Sequence, residues 1–147
     1  MDCQTNAKAL REAVRVLERK LGLLDELETA CCGVTFAQCH AVVEIGRAGS
    51  ISLNDLADAL SLDKSTMSRT INNLVANGMA VREIDPADRR YITIQLTESG
   101  RQAFETIEER MEEFFASLFE KIPPGKRTQV LESLQLLNQA LGANGCC

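Results

Sequence analysis

The chain has 147 residues, of which 45% are hydrophobic, 25% charged and 4% aromatic. This length is enough for one domain with a hydrophobic core, and the composition excludes a mostly disordered chain. No apolar run reaches the roughly 18–20 residues of a membrane span, and the first residues contain no hydrophobic signal core. We therefore expect a cytoplasmic protein with no membrane partner.

The net charge of −5 by itself disfavours nucleic acid as a partner, but the charge is unevenly distributed. Residues 61–90 contain five basic and four acidic residues, whereas residues 91–120 contain seven glutamates and two arginines. Because the acidic excess can be placed in one segment, the composition allows a locally basic surface elsewhere.

The hydrophobic spacing predicts two helices in the first third of the chain. Over residues 5–28, leucine and valine recur every three or four residues, as in a heptad seam. A second helix is predicted to begin at Thr35, because Thr35 and Gln38 have the spacing of a capping box. It is predicted to end at the turn around Gly49.

Residues 50–79 have the pattern of a helix-turn-helix. Ser52 or Asn54 can cap a first short helix, and a second helix is predicted from about Lys64 to Asn77, ending at Gly78. The second helix has one apolar face and one polar face, and the link between the two helices is short.

A β-hairpin and two more helices are predicted to follow. Residues 79–84 and 91–96 alternate as strands do, and residues 85–90 read as the hairpin tip. Thr97 is predicted to cap a long helix that ends at the Pro123-Pro124-Gly125 segment. A last helix is predicted over about residues 125–141.

This order of elements, together with two motifs, resembles the MarR family of winged helix-turn-helix regulators. The motifs are DPADRR at residues 85–90 and LTESG at residues 96–100, which match the family's wing and the L-T-x-x-G sequence after it. The resemblance covers residues from about 8 to 141.

The resemblance implies a mainly α fold with a small β-wing, organised as a single MarR-like domain over residues 1–147. Residues 50–96 are expected to form the winged helix-turn-helix lobe that binds DNA. Residues 5–48 and 97–141 are expected to form a dimerisation and effector region.

The DNA contacts are expected to come from the second helix of the helix-turn-helix and from the wing. A helix that reads the major groove needs short donors and a cation on its free face; arginine can bind guanine and asparagine can bind adenine. The resemblance implies that the wing arginine enters the minor groove and is held by a salt bridge to the aspartate. An exposed polar face that contacts only solvent is the alternative. The expected residues are Lys64, Ser65, Thr66, Ser68, Arg69, Asn72, Asp88, Arg89 and Arg90.

The seams of the first and last helices are too long for one domain of this size to bury. The resemblance implies that both terminal regions interlock with those of a second subunit. A homodimer places two recognition helices about one DNA turn apart, ~34–36 Å, so we expect a pseudo-palindromic operator in double-stranded DNA.

The cysteines suggest an inducer site. Cys31, Cys32 and Cys39 bracket the start of the second helix, near the effector region of the family, and Cys3, Cys146 and Cys147 at the chain ends are secondary candidates. Thiolates select thiophilic ions, so trivalent arsenic or antimony, or an oxidant, is one hypothesis for an inducer that releases a repressor from DNA. Cysteines that only fill apolar space are the alternative. No cofactor is required.

Other function classes fit less well. An enzyme is disfavoured, because the single histidine, His40, has no catalytic partner at motif spacing, and no nucleotide-binding or zinc-protease motif is present. Two alternatives stay open. One is a regulator that binds an aromatic or phenolic effector in a pocket lined by Phe36 and Phe104; the other is a winged-helix protein-interaction module.

Overall fold

The computed structural model describes residues 3–32 and 35–143, which form helices and one small antiparallel sheet. This confirms the predicted fold class. No helix in these two ranges is long and apolar enough to cross a membrane. The elements are α1 (Cys3–Cys32), α2 (Phe36–Ala48), β1 (Ile51–Ser52), α3 (Leu53–Ala59), α4 (Lys64–Ala76), β2 (Ala80–Ile84), β3 (Ile92–Leu96), α5 (Glu98–Glu120) and α6 (Arg127–Ala143).

The chain divides into two compact units, Met1–Glu108 and Glu109–Cys147. The first unit contains the helix-turn-helix, the sheet and the beginning of α5. The second contains the rest of α5, a 3₁₀ turn at Pro124–Lys126 and α6.

Side-chain caps fix the starts of α2 and α3. The hydroxyl of Thr35 accepts a hydrogen bond from the Gln38 backbone N–H at 3.3 Å, and the Gln38 side chain accepts one from the Thr35 N–H at 3.2 Å. This capping box confirms the predicted start of α2. Of the two candidate caps for α3, Ser52 is the one used: its hydroxyl accepts from the Asp55 N–H at 3.0 Å.

Two elements differ from the prediction. The first helix was expected to end at residue 28, with the segment TACCG at residues 29–33 breaking the pattern, but α1 continues to Cys32. Residues 29–32 contain neither glycine nor proline, so nothing in them stops a helix that has already formed, and the glycine of the segment comes only at position 33. The strand β1 was not predicted, because two residues are too few to show the alternation that marks a strand. It pairs with β3 through Ile51 opposite Ile94.

The core of the first unit holds helix α4 in place. Helix α4 contacts α2, α3 and β2, and β3 contacts α2. The inward stripe of α4, formed by Met67, Ile71 and Leu74, is fully buried, and so is Ile94 in the middle strand β3. Each such side chain contributes about 1.5–3 kcal/mol of transfer free energy, so α4 has one stable orientation on the domain.

Apolar side chains of α1 and α6 remain on the surface of the single chain. Leu10, Leu17 and Leu21 lie along α1, and Leu134 and Leu141 lie along α6; all five are exposed. These are members of the two heptad-like seams, and the single chain does not bury them.

Candidate nucleic-acid interface

The outward face of α4 carries the predicted DNA-contacting residues of the helix-turn-helix. Burial of the opposite face on the core fixes their direction. Short hydroxyl and amide groups therefore stand beside two cations on one accessible surface. Exposed residues of this face are Lys64, Ser65, Thr66, Arg69 and Asn72, while Ser68 is half-buried.

Asp63 closes the N-terminus of α4. Its carboxylate oxygen Oδ1 accepts a hydrogen bond from the Thr66 N–H at 2.9 Å. Hydrogen bonds from the side chain and then the backbone of Thr66 lower the pKa of Asp63, and the positive charge of Arg69 adds to this effect. The carboxylate therefore stays ionised near neutral pH, where it complements the positive end of the helix dipole.

The wing is a two-stranded hairpin whose tip is ordered by two aspartates. Strands β2 and β3 pair in register from Ala80 opposite Leu96 to Ile84 opposite Ile92. At the tip, Asp85 Oδ1 accepts from the Ala87 N–H at 2.8 Å. An aspartate side chain that binds the backbone two residues further on is a common means of fixing a turn.

The second tip aspartate, Asp88, holds the arginine that was expected to enter the minor groove. Its Oδ1 accepts from the Arg90 backbone N–H at 3.0 Å and from Arg90 Nε at 3.3 Å. The Arg90 side chain is 92% exposed, so this pair contributes little to stability. Its effect is to orient the guanidinium through Nε, and no hydrogen bond among the described side chains and backbone engages the two Nη groups.

The L-T-x-x-G motif joins the wing to the end of α4. The Thr97 hydroxyl donates to the Gly78 carbonyl at 2.6 Å and accepts from the Gly100 N–H at 3.1 Å. The Thr97 N–H donates to the Met79 carbonyl at 3.0 Å. Gly78 has a φ of +73°, which favours glycine at the turn between α4 and β2. These bonds set the position of the wing relative to the recognition helix.

The structure places one further residue, Arg82, beside this surface. Arg82 was not among the residues predicted to contact DNA. Arg82 lies on β2, and its Nη2 donates a hydrogen bond to Oδ1 of Asn72 on α4. One signal was available in the strand sequence AVREI. Arg82 lies on the same face of the strand as Ala80 and Ile84, so a charged residue occupies a face that otherwise carries apolar residues.

The predicted thiol site falls largely outside the part of the chain whose side chains are described. Cys3, at the start of α1, is exposed, and Cys39 in the first turns of α2 is 2% exposed. The side chains of Cys31 and Cys32, and the whole of Cys146 and Cys147, lie outside the described residues. Within the described side chains, no three His, Cys, Asp or Glu residues are grouped to hold a metal ion. The thiol site stays a prediction.

The structure describes only part of the pocket that was expected to bind an aromatic effector. The ring of Phe104 on α5 lies directly against Gly46 of α2, where a Cβ atom would come within 2.4 Å of the ring. Arg47 and Glu108 form an ion pair beside this contact, with Nη2 and Oε1 3.1 Å apart. The Phe36 side chain lies outside the described residues, so the expected pocket also stays a prediction.

The helix-turn-helix followed by a hairpin wing defines a winged-helix protein. Among solved structures, the fold is similar to that of Streptococcus pneumoniae FabT, whose crystal structure is a complex with DNA. The TM-score is 0.83 at 18% identity, and the match covers 93% of this chain and 98% of FabT. This likeness establishes the fold.

The sequence comparisons identify the family. Residues 33–90 match the MarR family profile. YwhA, an uncharacterized HTH-type transcriptional regulator of Bacillus subtilis (strain 168), is 30% identical over 95 residues, which cover 65% of this chain and 68% of YwhA. YdgJ, another uncharacterized HTH-type transcriptional regulator of that organism, is 25% identical over 105 residues, which cover 71% of this chain but only 64% of YdgJ. The chain belongs to the MarR family, whose members are transcriptional regulators and not enzymes.

Proposed function

We propose that this chain is a homodimeric, sequence-specific DNA-binding repressor. The observation that carries the proposal is the pairing of two surfaces in one unit: the polar face of α4, and Arg90 held at the wing tip by Asp88. The Thr97 hydrogen bonds join these two surfaces through the backbone at Gly78 and Met79. Such a rigid pair is suited to one DNA duplex, with α4 in the major groove and the wing in the neighbouring minor groove.

The charges of this surface favour a phosphate backbone despite the net charge of the chain. Lys64 and Arg69 on α4, and Arg89 and Arg90 at the wing tip, are all exposed. Their contacts with phosphates would release counterions, so affinity should fall steeply with salt, by about 0.9 in log K per neutralised phosphate for each unit of log salt. In this proposal Arg89 contacts phosphate and Arg90 enters the minor groove.

The exposed leucines of α1 and α6 support the dimer. A solitary exposed leucine is ordinary, but two helices that each carry a periodic row of them are suited to packing against another helix. We assign this role to a second copy of the chain, in line with the family resemblance. Two copies related by a two-fold axis would present two wings and two recognition helices to a pseudo-palindromic operator.

For the inducer, we propose a thiophilic ion or an oxidant that acts on Cys32 and Cys39, together with Cys31 or a thiol from the chain ends. The support is the place of Cys39: it is buried in the first turns of α2, and α2 contacts the recognition helix α4. A ligand that pulls this sulfur toward α1 would disturb the packing that orients α4. It would release DNA if it binds the DNA-free arrangement more tightly than the DNA-bound one.

The proposal is tested by equilibrium binding of purified protein to a labelled duplex from upstream of its own gene. Arg90→Ala should weaken binding at least tenfold, whereas Arg110→Ala, which makes the same change in charge at an exposed arginine of α5, should leave the affinity unchanged. Asp88→Ala is the more informative variant. Removing its negative charge should strengthen a purely electrostatic attraction to DNA, but it should weaken binding if Asp88 positions Arg90.

Two results would contradict this assignment. Unchanged affinity in Arg90→Ala would exclude the wing contact. A folded wild-type protein that shows no preference for its own upstream DNA over unrelated duplex would favour the winged-helix protein-interaction module instead.

A further inference from the structure

Arg82 occupies an unusual position for a charged residue. Strand β2 is at the edge of the sheet, and Arg82 is directly opposite Ile94, a fully buried residue of the central strand. Directly opposed residues lie on the same face of a sheet, so the Arg82 side chain leaves the backbone on the face that packs on the core. The side chain is nevertheless exposed, and its guanidinium reaches α4.

The partner of Arg82 on α4 is a residue expected to read DNA. Arg82 Nη2 donates to Oδ1 of Asn72, which is exposed on the same outward face of the helix as Arg69. Asn72 follows Arg69 by three residues and Ser65 by seven, a spacing that places all three on one side of the helix. The wing strand therefore holds a base-reading side chain through its only acceptor atom.

This bond changes what Asn72 can recognise. A free asparagine binds adenine with two bonds: its oxygen accepts from the adenine N6 amino group, and its nitrogen donates to N7. Arg82 engages one of the two lone pairs of Oδ1 and holds the amide oxygen toward β2, so the amide offers mainly its N–H donors to DNA. The positive charge beside Oδ1 also disfavours the approach of the adenine amino group.

We propose that Arg82 and Asn72 form a specificity-determining pair that selects guanine over adenine at one base pair of each half-site. The Asn72 amide, held by Arg82 through its oxygen, then presents N–H donors at the base edge. Guanine presents two acceptors in the major groove, O6 and N7, and so complements it. Arg82 is thus a positioning residue for base readout, and this inference rests on the DNA-binding function proposed above.

The test is selection of bound sequences from a randomised double-stranded DNA pool by the full-length protein. At one position of each half-site, wild type should prefer guanine over adenine about fivefold or more. About fivefold is the lower end of the discrimination that a bidentate base contact provides. Arg82→Met frees Asn72 Oδ1, so the preference at that position should shift toward adenine. Asn72→Ala should reduce discrimination there to less than twofold, with or without Arg82→Met. Arg110→Met, with the same loss of charge on α5, should reproduce the wild-type profile.

The outcomes separate this inference from the function on which it rests. If wild type enriches a palindromic sequence but Arg82→Met enriches the same one with evenly reduced affinity, Arg82 contacts only phosphate and the inference is wrong. If wild type enriches no sequence, the DNA-binding proposal fails and the inference fails with it. Circular dichroism of each variant confirms the fold; all three changed side chains are exposed, so the helical signal should be unchanged.

Discussion

Gly100→Ala should destabilise the protein although the new side chain is a single methyl group. Gly100 is buried in the first turn of α5, where a Cβ atom would lie 2.0 Å from the carbonyl oxygen of Met79 and 3.2 Å from Cδ2 of Leu96. The first distance is more than 1 Å shorter than a carbon–oxygen contact allows. The obstacle is backbone, so α5 or the turn before β2 must move.

The magnitude follows from what that movement disrupts. The Met79 carbonyl accepts the Thr97 N–H at 3.0 Å, and Thr97 also accepts from the Gly100 N–H. Overpacking costs about 1–3 kcal/mol, and a buried polar group that loses its partner costs about 1–3 kcal/mol. Alanine recovers about 1 kcal/mol of helix propensity. We expect a net loss of about 3 kcal/mol, or roughly 6–12 °C in Tm for a chain of this size.

Urea and thermal unfolding followed by circular dichroism measure this effect. Gly22→Ala is the matched control, because a Cβ atom at Gly22 on α1 meets nothing within 4 Å. That variant should be as stable as wild type or more stable by up to about 1 kcal/mol. A Gly100→Ala protein with wild-type stability would refute the role assigned to the L-T-x-x-G motif.

Three further predictions address the dimer, the cap and the thiols. Asp at both Leu17 and Leu137, the latter three residues after Leu134 in the seam of α6, should convert the proposed dimer to monomer in light scattering, since each leucine buried between subunits contributes about 1.5–3 kcal/mol; a folded wild-type monomer at micromolar concentration would disprove the dimer. The hydrogen bonds from Thr66 lower the pKa of Asp63 below its ordinary value of 3.8, so the stability it provides is present above that pH and is lost as the pH falls through the lowered pKa. In urea unfolding, the advantage of wild type over Asp63→Asn should therefore shrink on acidification, and an advantage that does not change with pH would contradict this. Cys39→Ser should bind DNA but not be released by trivalent arsenic; normal release from a protein with all six cysteines changed to serine would exclude thiol sensing.

Local signals explain why much of the fold could be predicted from the sequence. The capping box of Thr35 and Gln38 and the apolar stripe of α4 are patterns within one helix, and the structure contains both. The end of α1 and the strand β1 were missed for the opposite reason. Residues 29–32 interrupt the apolar spacing of α1 without ending the helix, and a two-residue strand depends on its partner β3.

In the candidate interface, only contacts between residues that are close in sequence could be predicted. Asp88 and Arg90 are two residues apart, and the salt bridge that the family resemblance implied is present in the structure. The bond between Arg82 and Asn72 joins residues ten apart on different elements. It depends on the register of β2 against β3 and on the rotation of α4, neither of which a single sequence specifies.

Hydroxyl-radical footprinting on the DNA upstream of the gene tests the central claim most directly. A dimer that inserts two recognition helices and two wings should protect two symmetric half-sites whose centres are about 10–10.5 base pairs apart, with further protection in the flanking minor grooves. Arg90→Ala should lose the flanking protection before the central protection. Uniform protection along the duplex, or a single unpaired half-site, would contradict a dimeric sequence-specific regulator.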